Sequence, residues 1–337
     1  MAGAQSGAQF FQQVFGGSWI TQGIWVAAEL GIADLLSDGP RSAADLAEQT
    51  HTHRDSLYRV LRALAGVGVF AQDAEDRFSL TPLSDSLRTN GSLSQRPFGI
   101  MMGAEFHQAW GELLHNVRTG EPGFQKRFGQ PFFEYMTERP HRHSVYDAAM
   151  GAFGLTETQA VLDAYDFGAY RTVVDVGGGS GVFLTALLSR YPEVRGTLFD
   201  LPAVADRARA AAPPESGLNG RLRVEGGDFF ASVPPGADVY VMQHIIHDWQ
   251  DPEAETILRN CWSAMTPGSR VLLVEIVIPP ADTPSFGKWL DLMMLLVNGR
   301  ERTEEEYRRL FSAAGLQLTG VIPTDSDVSI IEGVQAE

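Results

Sequence analysis

The stretch Val173-Val174-Asp175-Val176-Gly177-Gly178-Gly179-Ser180-Gly181 constrains this chain more than any other segment. A hydrophobic run meets a turn of four glycines, and apolar spacing resumes at once in Val182-Phe183-Leu184. That pattern is a buried strand entering a tight turn that opens a helix. Lacking Cβ atoms, the turn bends sharply and lets a ligand lie against its backbone. The first amides of the helix have no partner of their own and suit a carboxylate. Asp200 lies 19 residues beyond Gly181, at the end of the next expected strand, where it can hold both hydroxyls of a ribose.

Glycine spacing then selects among nucleotides. A dinucleotide fingerprint places glycines first, third and sixth, but the sixth residue from Gly177 is Val182. Gly177, Gly179 and Gly181 follow the pattern of enzymes that bind S-adenosylmethionine. A further carboxylate, Asp228 in Glu225-Gly226-Gly227-Asp228-Phe229-Phe230, follows the third strand and can accept from an adenine amino group. Phe229 is available to pack on the adenine face. Asp175, Leu201 and Gln243 are placed with the same cofactor-binding set.

From Arg171 onward strands alternate with helices. Strand Thr172–Val176 leads to helix Val182–Arg190, and strand Gly196–Asp200 to helix Ala203–Ala212. Strands Leu222–Glu225 and Val239–Gln243, helix Pro252–Met265 and strand Val271–Val277 follow. After helix Glu304–Ala314, Leu316–Ile322 and Val328–Val334 read as a closing antiparallel pair. The fold class is therefore α/β, a Rossmann-like, mostly parallel seven-stranded sheet covered on both faces.

The first half of the chain differs. Apolar residues from Gln9 to Leu36 recur at helical spacing interrupted by glycines, which predicts two helices richer in apolar residues than one core face needs. A dimer interface is the expected use. Ser42 can cap the helix that holds Leu46, the next helix starts near Arg54 and Asp55, and Gly66 and Gly68 stop it. Val69–Gln72 and Arg77–Leu80 then form a short hairpin, completing a winged-helix pattern. The presumed recognition helix offers only Arg54, Arg59 and Arg62, and 26 basic against 42 acidic residues leave a formal charge of −16. Such a chain repels phosphates and anionic membrane surfaces, so neither nucleic acid nor membrane is expected as a partner. The expected division is residues 1–95 as a helical dimerisation domain, 96–165 as a helical connector lining an acceptor pocket, and 166–337 as the catalytic domain. Met1 to Gly17 carry no Lys or Arg, and no apolar run is long enough for a bilayer. The single cysteine, Cys261, suits a reducing compartment, and a cytoplasmic location follows by default.

Chemistry is expected at the end of the fourth strand, Val241-Met242-Gln243-His244-Ile245-Ile246-His247-Asp248-Trp249. Two histidines three apart beside an aspartate invite a metal reading, but a further clear ligand is wanting and no metal is expected. Glu275 ends the next strand and Glu301 follows Asn298-Gly299-Arg300. Either carboxylate can orient an imidazole as the acid of a triad does.

With these residues the chain resembles the plant-type and bacterial small-molecule O-methyltransferases that join a winged-helix dimerisation domain to a Rossmann-like catalytic domain. The matches are Asp175 to Gly181, Phe199-Asp200-Leu201-Pro202, Gly226 to Phe230, His247-Asp248-Trp249 and Glu301-Arg302-Thr303, spread over nearly the whole chain. The resemblance implies that His247 is the general base flanked by Glu275 and Glu301, and that Asp200 and Asp228 bind ribose and adenine. It also implies that Met150, Met294 and Asn298 border the acceptor, and that the acidic winged-helix half forms a homodimer. Phe153 and Asp248 are placed with the acceptor set. Plant members commonly carry Lys-Trp where this chain has Gln243-His244, so a lysine contact to the cofactor does not carry over. Phe153 stands where some plant members place a histidine, which argues against a phenylpropanoid acceptor. The expected acceptor is a hydroxyl on a small aromatic molecule, with nitrogen or carbon methylation, or a small-molecule-responsive regulator, as rivals.

Overall fold

The computed structural model describes residues 6–91, 94–211 and 220–336, with side chains left undescribed at 9, 152, 153 and 211. It contains two compact units, one within residues 1–111 and 133–152, the other within 112–132 and 153–337. The stretch 96–165, read from sequence as a connector, is divided between them. Helix Pro140–Ala164 contributes residues to both.

In the first unit the expected pair of helices is found as the long Gly7–Glu29 and the short Ile32–Leu35. The break falls at Gly31, whose φ of 65° is left-handed and stops the helix. Ser42 caps helix Ala43–Thr50 reciprocally with Asp45, and helix Arg54–Gly66 packs beside it. The hairpin Phe70–Gln72 and Arg77–Leu80 gains a third strand, Arg41–Ser42, which the sequence reading missed because two residues carry no periodicity. Leu46, Leu57, Leu61, Phe70 and Phe78 form the core.

The second unit is built on seven strands: β1 (Thr172–Val176), β2 (Arg195–Asp200), β3 (Leu222–Gly226), β4 (Val239–Gln243), β5 (Arg270–Glu275), β6 (Leu316–Pro323) and β7 (Ser329–Gln335). Their order is β6-β7-β5-β4-β1-β2-β3, and only β7 runs antiparallel to both its neighbours. β4 and β5 are buried on both faces, as their unbroken apolar runs require. Helices Asp251–Ala264 and Glu304–Ala313 cover one face, and helix Val182–Arg190 lies in the core of the other. The chain reverses direction of progress between β1 and β4, and ligands bind in such sheets at the carboxyl ends beside that switch.

One expected strand, Val271–Val277, is broken. β5 stops at Glu275, and Val277–Ile278 leaves the sheet to pair in parallel with Arg302–Thr303. That small ladder carries Glu301 to the end of β5. Helix Ala203–Ala212 is found as Pro202–Ala211, with residue 212 outside the described residues. Helix Phe286–Val297, absent from the sequence reading, is apolar almost all round.

Candidate active site

The glycine turn follows β1 as expected. Gly177 has φ 76°, and a Cβ there would sit 2.4 Å from Cδ1 of Ile245, so only glycine fits. At Gly179, φ 56°, a Cβ would meet nothing within 4 Å, so open space lies along that backbone. Gly181, φ 79°, starts helix Val182–Arg190 without a capping side chain. Asp200, ending β2, accepts from Gly179 N at 2.9 Å and Leu201 N at 2.7 Å. Because each carboxylate oxygen takes more than one bond, these contacts aim Asp200 without exhausting it. Leu201 beside it is 54% exposed, a large apolar side chain awaiting cover. Asp175 is buried, its Oδ2 has no hydrogen-bond partner, and burial followed by the charge of Asp200 raises its pKa to about 7.

Asp228, after β3, is exposed and accepts from Phe230 N at 2.8 Å. Asn260 holds this loop by donating to the carbonyls of Phe229 and Phe230. Phe229 and Phe230 meet Trp249 edge to face, at 6.1 and 4.7 Å. Gln243 ends β4, and its Nε2 donates to Glu157 Oε2 at 3.1 Å, a contact that sequence alone did not suggest.

His247 lies on a short turn after β4, Ile246–Asp248, with 12% of its side chain exposed. Nδ1 lies 2.8 Å from Glu301 Oε1, which as a carboxylate oxygen is the acceptor. This assigns the proton to Nδ1 and the lone pair to Nε2, which is 3.6 Å from Asp248 Oδ1. The two glutamates, equivalent in the sequence reading, have different tasks. Glu275 is wholly buried, and its Oε1 accepts from the amides of Ile246 and His247 at 2.9 and 3.3 Å. Its Oε2 stands 3.7 Å from His247 Nδ1, beyond hydrogen-bond reach. Glu301 thus orients the ring while Glu275 fixes the backbone beneath it. Burial raises the pKa of both carboxyls. Asp248 is pushed up to about 6, again chiefly by burial.

Arg302 was quoted from sequence only as part of a motif, yet it is the largest fully buried side chain. Its guanidinium bonds the carbonyls of Ile246 and Trp249 at 3.1 and 2.8 Å and Asp251 Oδ1 at 3.0 and 2.8 Å. It clamps both ends of the turn that carries His247. Asp291 accepts from Glu301 N at 2.9 Å. Gly299 packs against the His247 carbonyl and the Met294 methyl, where a Cβ would lie 2.4 and 2.5 Å away. Met294 is therefore buried beside the turn. Asn298, φ 73°, caps helix Phe286–Val297 and is exposed. Met150 belongs to the other compact unit, and the Phe153 side chain lies outside the described residues.

His244, His247 and Glu275 hold donor atoms within 4.8 Å of one another. His247 Nδ1 is engaged by Glu301 and His244 Nε2 by Glu157, at 2.7 Å, so two of the ring nitrogens are already hydrogen-bonded to carboxyl groups.

Comparison with known proteins agrees with this geometry. Residues 110–317 match a family model described as O-methyltransferase domain, and residues 12–90 one described as O-methyltransferase dimerisation domain. A phenazine O-methyltransferase, PhzM, from Lysobacter antibioticus is 43% identical over 98% of this chain and 97% of its own. The solved structure of an O-methyltransferase from neocarzinostatin biosynthesis, NcsB1, in complex with S-adenosylmethionine and 2-hydroxy-5-methyl naphthoic acid, superposes with TM-score 0.83 at 35% identity, covering 94% and 96% of the two chains. An 8-amino-8-demethylriboflavin N,N-dimethyltransferase from Streptomyces davaonensis is 36% identical over 92% of this chain and 90% of its own.

Proposed function

The chain belongs to the O-methyltransferase family, and from that premise we propose that it methylates a hydroxyl group of a small aromatic molecule with His247 as general base. It is an S-adenosylmethionine-dependent methyltransferase. The acceptor assignment rests on relatives whose names carry a phenazine and a naphthoic acid.

The residues present fit the cofactor. Open space beside Gly179, the aimed carboxylate of Asp200, the exposed Leu201 and the unpartnered Asp175 Oδ2 are what a nucleoside with an amino-acid tail would occupy. Gly177, Gly179 and Gly181 would line the tail, Asp200 the ribose, and Asp228 with Phe229 the adenine. Gln243, committed to Glu157, would act there through its place at the strand end. When bound, S-adenosylmethionine supplies a methyl carbon already electrophilic on its sulfonium.

The protein's own task is to align an oxygen and remove its proton. A phenol is mostly neutral near pH 7, its pKa being about 10. The observation that carries the assignment is the 2.8 Å bond from His247 Nδ1 to Glu301, which leaves Nε2 as the basic nitrogen. Nε2 takes the hydroxyl proton as the oxygen attacks, and Glu301 stabilises the imidazolium that results. Asp248, Met294 and Asn298 would border the acceptor on this side. Met150 and Phe153 are kept as acceptor residues by resemblance, with residues 96–165 as the stretch that supplies them.

The helical unit, residues 1–95 in this division, would pair with a second copy to make a homodimer, supported by the matched dimerisation domain and its exposed apolar stripe. No helix among the described residues is long and apolar enough to cross a membrane; the net charge of −16 supports the absence of a nucleic-acid partner, and the single cysteine suits a cytoplasmic enzyme.

Mass spectrometry of aromatic hydroxy compounds incubated with enzyme and S-adenosylmethionine should find a gain of one methyl on oxygen. With that acceptor, His247→Gln should bind S-adenosylmethionine normally while single-turnover methyl transfer falls by roughly 10²–10⁴-fold. Near-normal turnover in the variant would reject His247 as base and favour a nitrogen or carbon acceptor.

A further inference from the structure

His244 is a buried-edge imidazole with no task in the reaction as derived so far. It sits at φ 52°, a left-handed conformation that a non-glycine residue adopts only when its surroundings impose it. Its backbone N–H donates to the Val274 carbonyl at 3.1 Å, so the backbone is still held to the end of β5. Nε2 bonds Glu157 Oε2 at 2.7 Å, the same oxygen that receives Gln243. Nδ1 stands 3.8 Å from Glu275 Oε2, and the ring centre is 5.0 Å from that of His247.

We propose that His244 is a positioning residue for the reaction: held as a cation between Glu157 and Glu275, it offsets the carboxylates around His247 and keeps that second imidazole neutral and able to accept a proton. This rests on His247 being the base.

Carboxyl groups crowd the two rings from several elements. Facing the two rings are Glu157 from helix Pro140–Ala164, Glu275 from the end of β5, Glu301 before Arg302–Thr303, and Asp248 on the turn. Asp291 lies behind Glu301, and the Tyr307 hydroxyl, buried without a partner, is held protonated by burial and by the charges of Glu275 and Glu301. The opposing cation, Arg302, is spent on Asp251 and on two carbonyls. Glu275 Oε2 is buried with no donor, so an uncompensated carboxylate there would draw a proton onto His247. A cation already on His244 opposes a second one 5.0 Å away. Burial disfavours charge on His244, but its bond to Glu157 and the charges of Glu157, Glu275 and Glu301 outweigh this and raise its pKa to about 9.

The deciding experiment is a pH titration, by NMR, of histidine ring resonances in the full-length protein labelled with ¹³C-histidine, with and without S-adenosylhomocysteine. The variants are His244→Asn, because asparagine tolerates the left-handed conformation, and Glu157→Gln, which keeps the side-chain shape but removes the counter-charge. In the wild type the His244 ring should stay charged through neutral pH, and the His247 midpoint should rise by about one pH unit in His244→Asn. Glu157→Gln should move it the same way by less. A His244 ring that is neutral at pH 7, or a His247 midpoint unchanged in both variants, overturns the proposal. Activity supplies a second arm: with a phenolic acceptor that the wild type methylates, His244→Asn should lose roughly tenfold on the acid limb and recover at higher pH. A loss by the same factor at every pH marks a packing role only and also overturns it. If His247→Gln retains turnover, the base assignment fails separately, since the ring titrations do not depend on it.

Discussion

In the helical unit large apolar side chains stand outside, whereas in the sheet unit charged side chains stand inside. Phe10, Phe11, Val14, Phe15 and Trp19 on helix Gly7–Glu29 are each more than half exposed. Glu275, Glu301 and Arg302 are each no more than 2% exposed. Both arrangements run against the ordinary economy of a folded chain, in which apolar surface is covered and charge is solvated. The apolar stripe would be tolerable once a second copy covers it, as proposed above; the buried ions are tolerable because each is bonded or balanced by its neighbours. The contrast separates two kinds of incompleteness. In the reading proposed above, one unit pairs with a second copy and the other carries out a proton transfer.

The largest effect should come from placing charge in the stripe. Phe15→Asp with Trp19→Asp should weaken self-association by about 10³-fold or more, since two central aromatic anchors are lost and carboxylates are introduced. Light scattering should then give the mass of one chain. An unchanged dimer would mean that the stripe is not the interface, and the first half of the contrast would fail.

Next in size is the clamp. Arg302→Met should lower unfolding stability by about 3 kcal/mol in denaturant titrations, because the Ile246 and Trp249 carbonyls lose their donor in a buried place. A variant as stable as the parent would show that the turn holds itself.

Glu301→Gln should reduce turnover by about tenfold, less than loss of the imidazole, since it weakens orientation and charge stabilisation without removing the base. Glu275→Gln should cost less in turnover and proportionally more in stability, because Oε1 serves two backbone amides. Equal kinetic penalties for the two would erase the division of labour between them.

The smallest effect concerns Asp175. Its folded pKa, raised to about 7, means that its contribution to stability is present below the unfolded carboxyl value near pH 4 and is lost as pH rises through about 7. Asp175→Asn should therefore melt a few degrees above the parent near pH 8 without cofactor, with the difference closing toward pH 4. A constant offset at all pH values would show that Asp175 does not change ionisation on folding.

Much of this was legible in one dimension. The glycine turn, Asp200, the placement of His247 after a strand, and the alternation of strands and helices are all local patterns with a fixed period or offset. Weak or short signals were misread or passed over: the two-residue strand Arg41–Ser42, the apolar helix Phe286–Val297, and the exit of the chain from β5 at Glu275. In the first helix the interior glycines promised a break that came only at Gly31, where left-handed backbone leaves no alternative. Packing along the rest of that helix outweighs the modest cost of interior glycine.

The sequence by itself determined the order of elements, the cofactor turn and the identity of the histidine, because each is specified by neighbours a few residues away. Tertiary structure alone decided which carboxylate holds that histidine and which charges surround it. His247 and Glu301 are 54 positions apart, and His244 and Glu157 are 87 apart. No periodicity spans such distances; Glu301 reaches His247 beside the ladder of Val277–Ile278 with Arg302–Thr303, and Glu157 reaches His244 from helix Pro140–Ala164. In the reading proposed above, the base and its carboxylate are paired there, by burial that makes each unpaired charge costly and so selects the partner that can meet it.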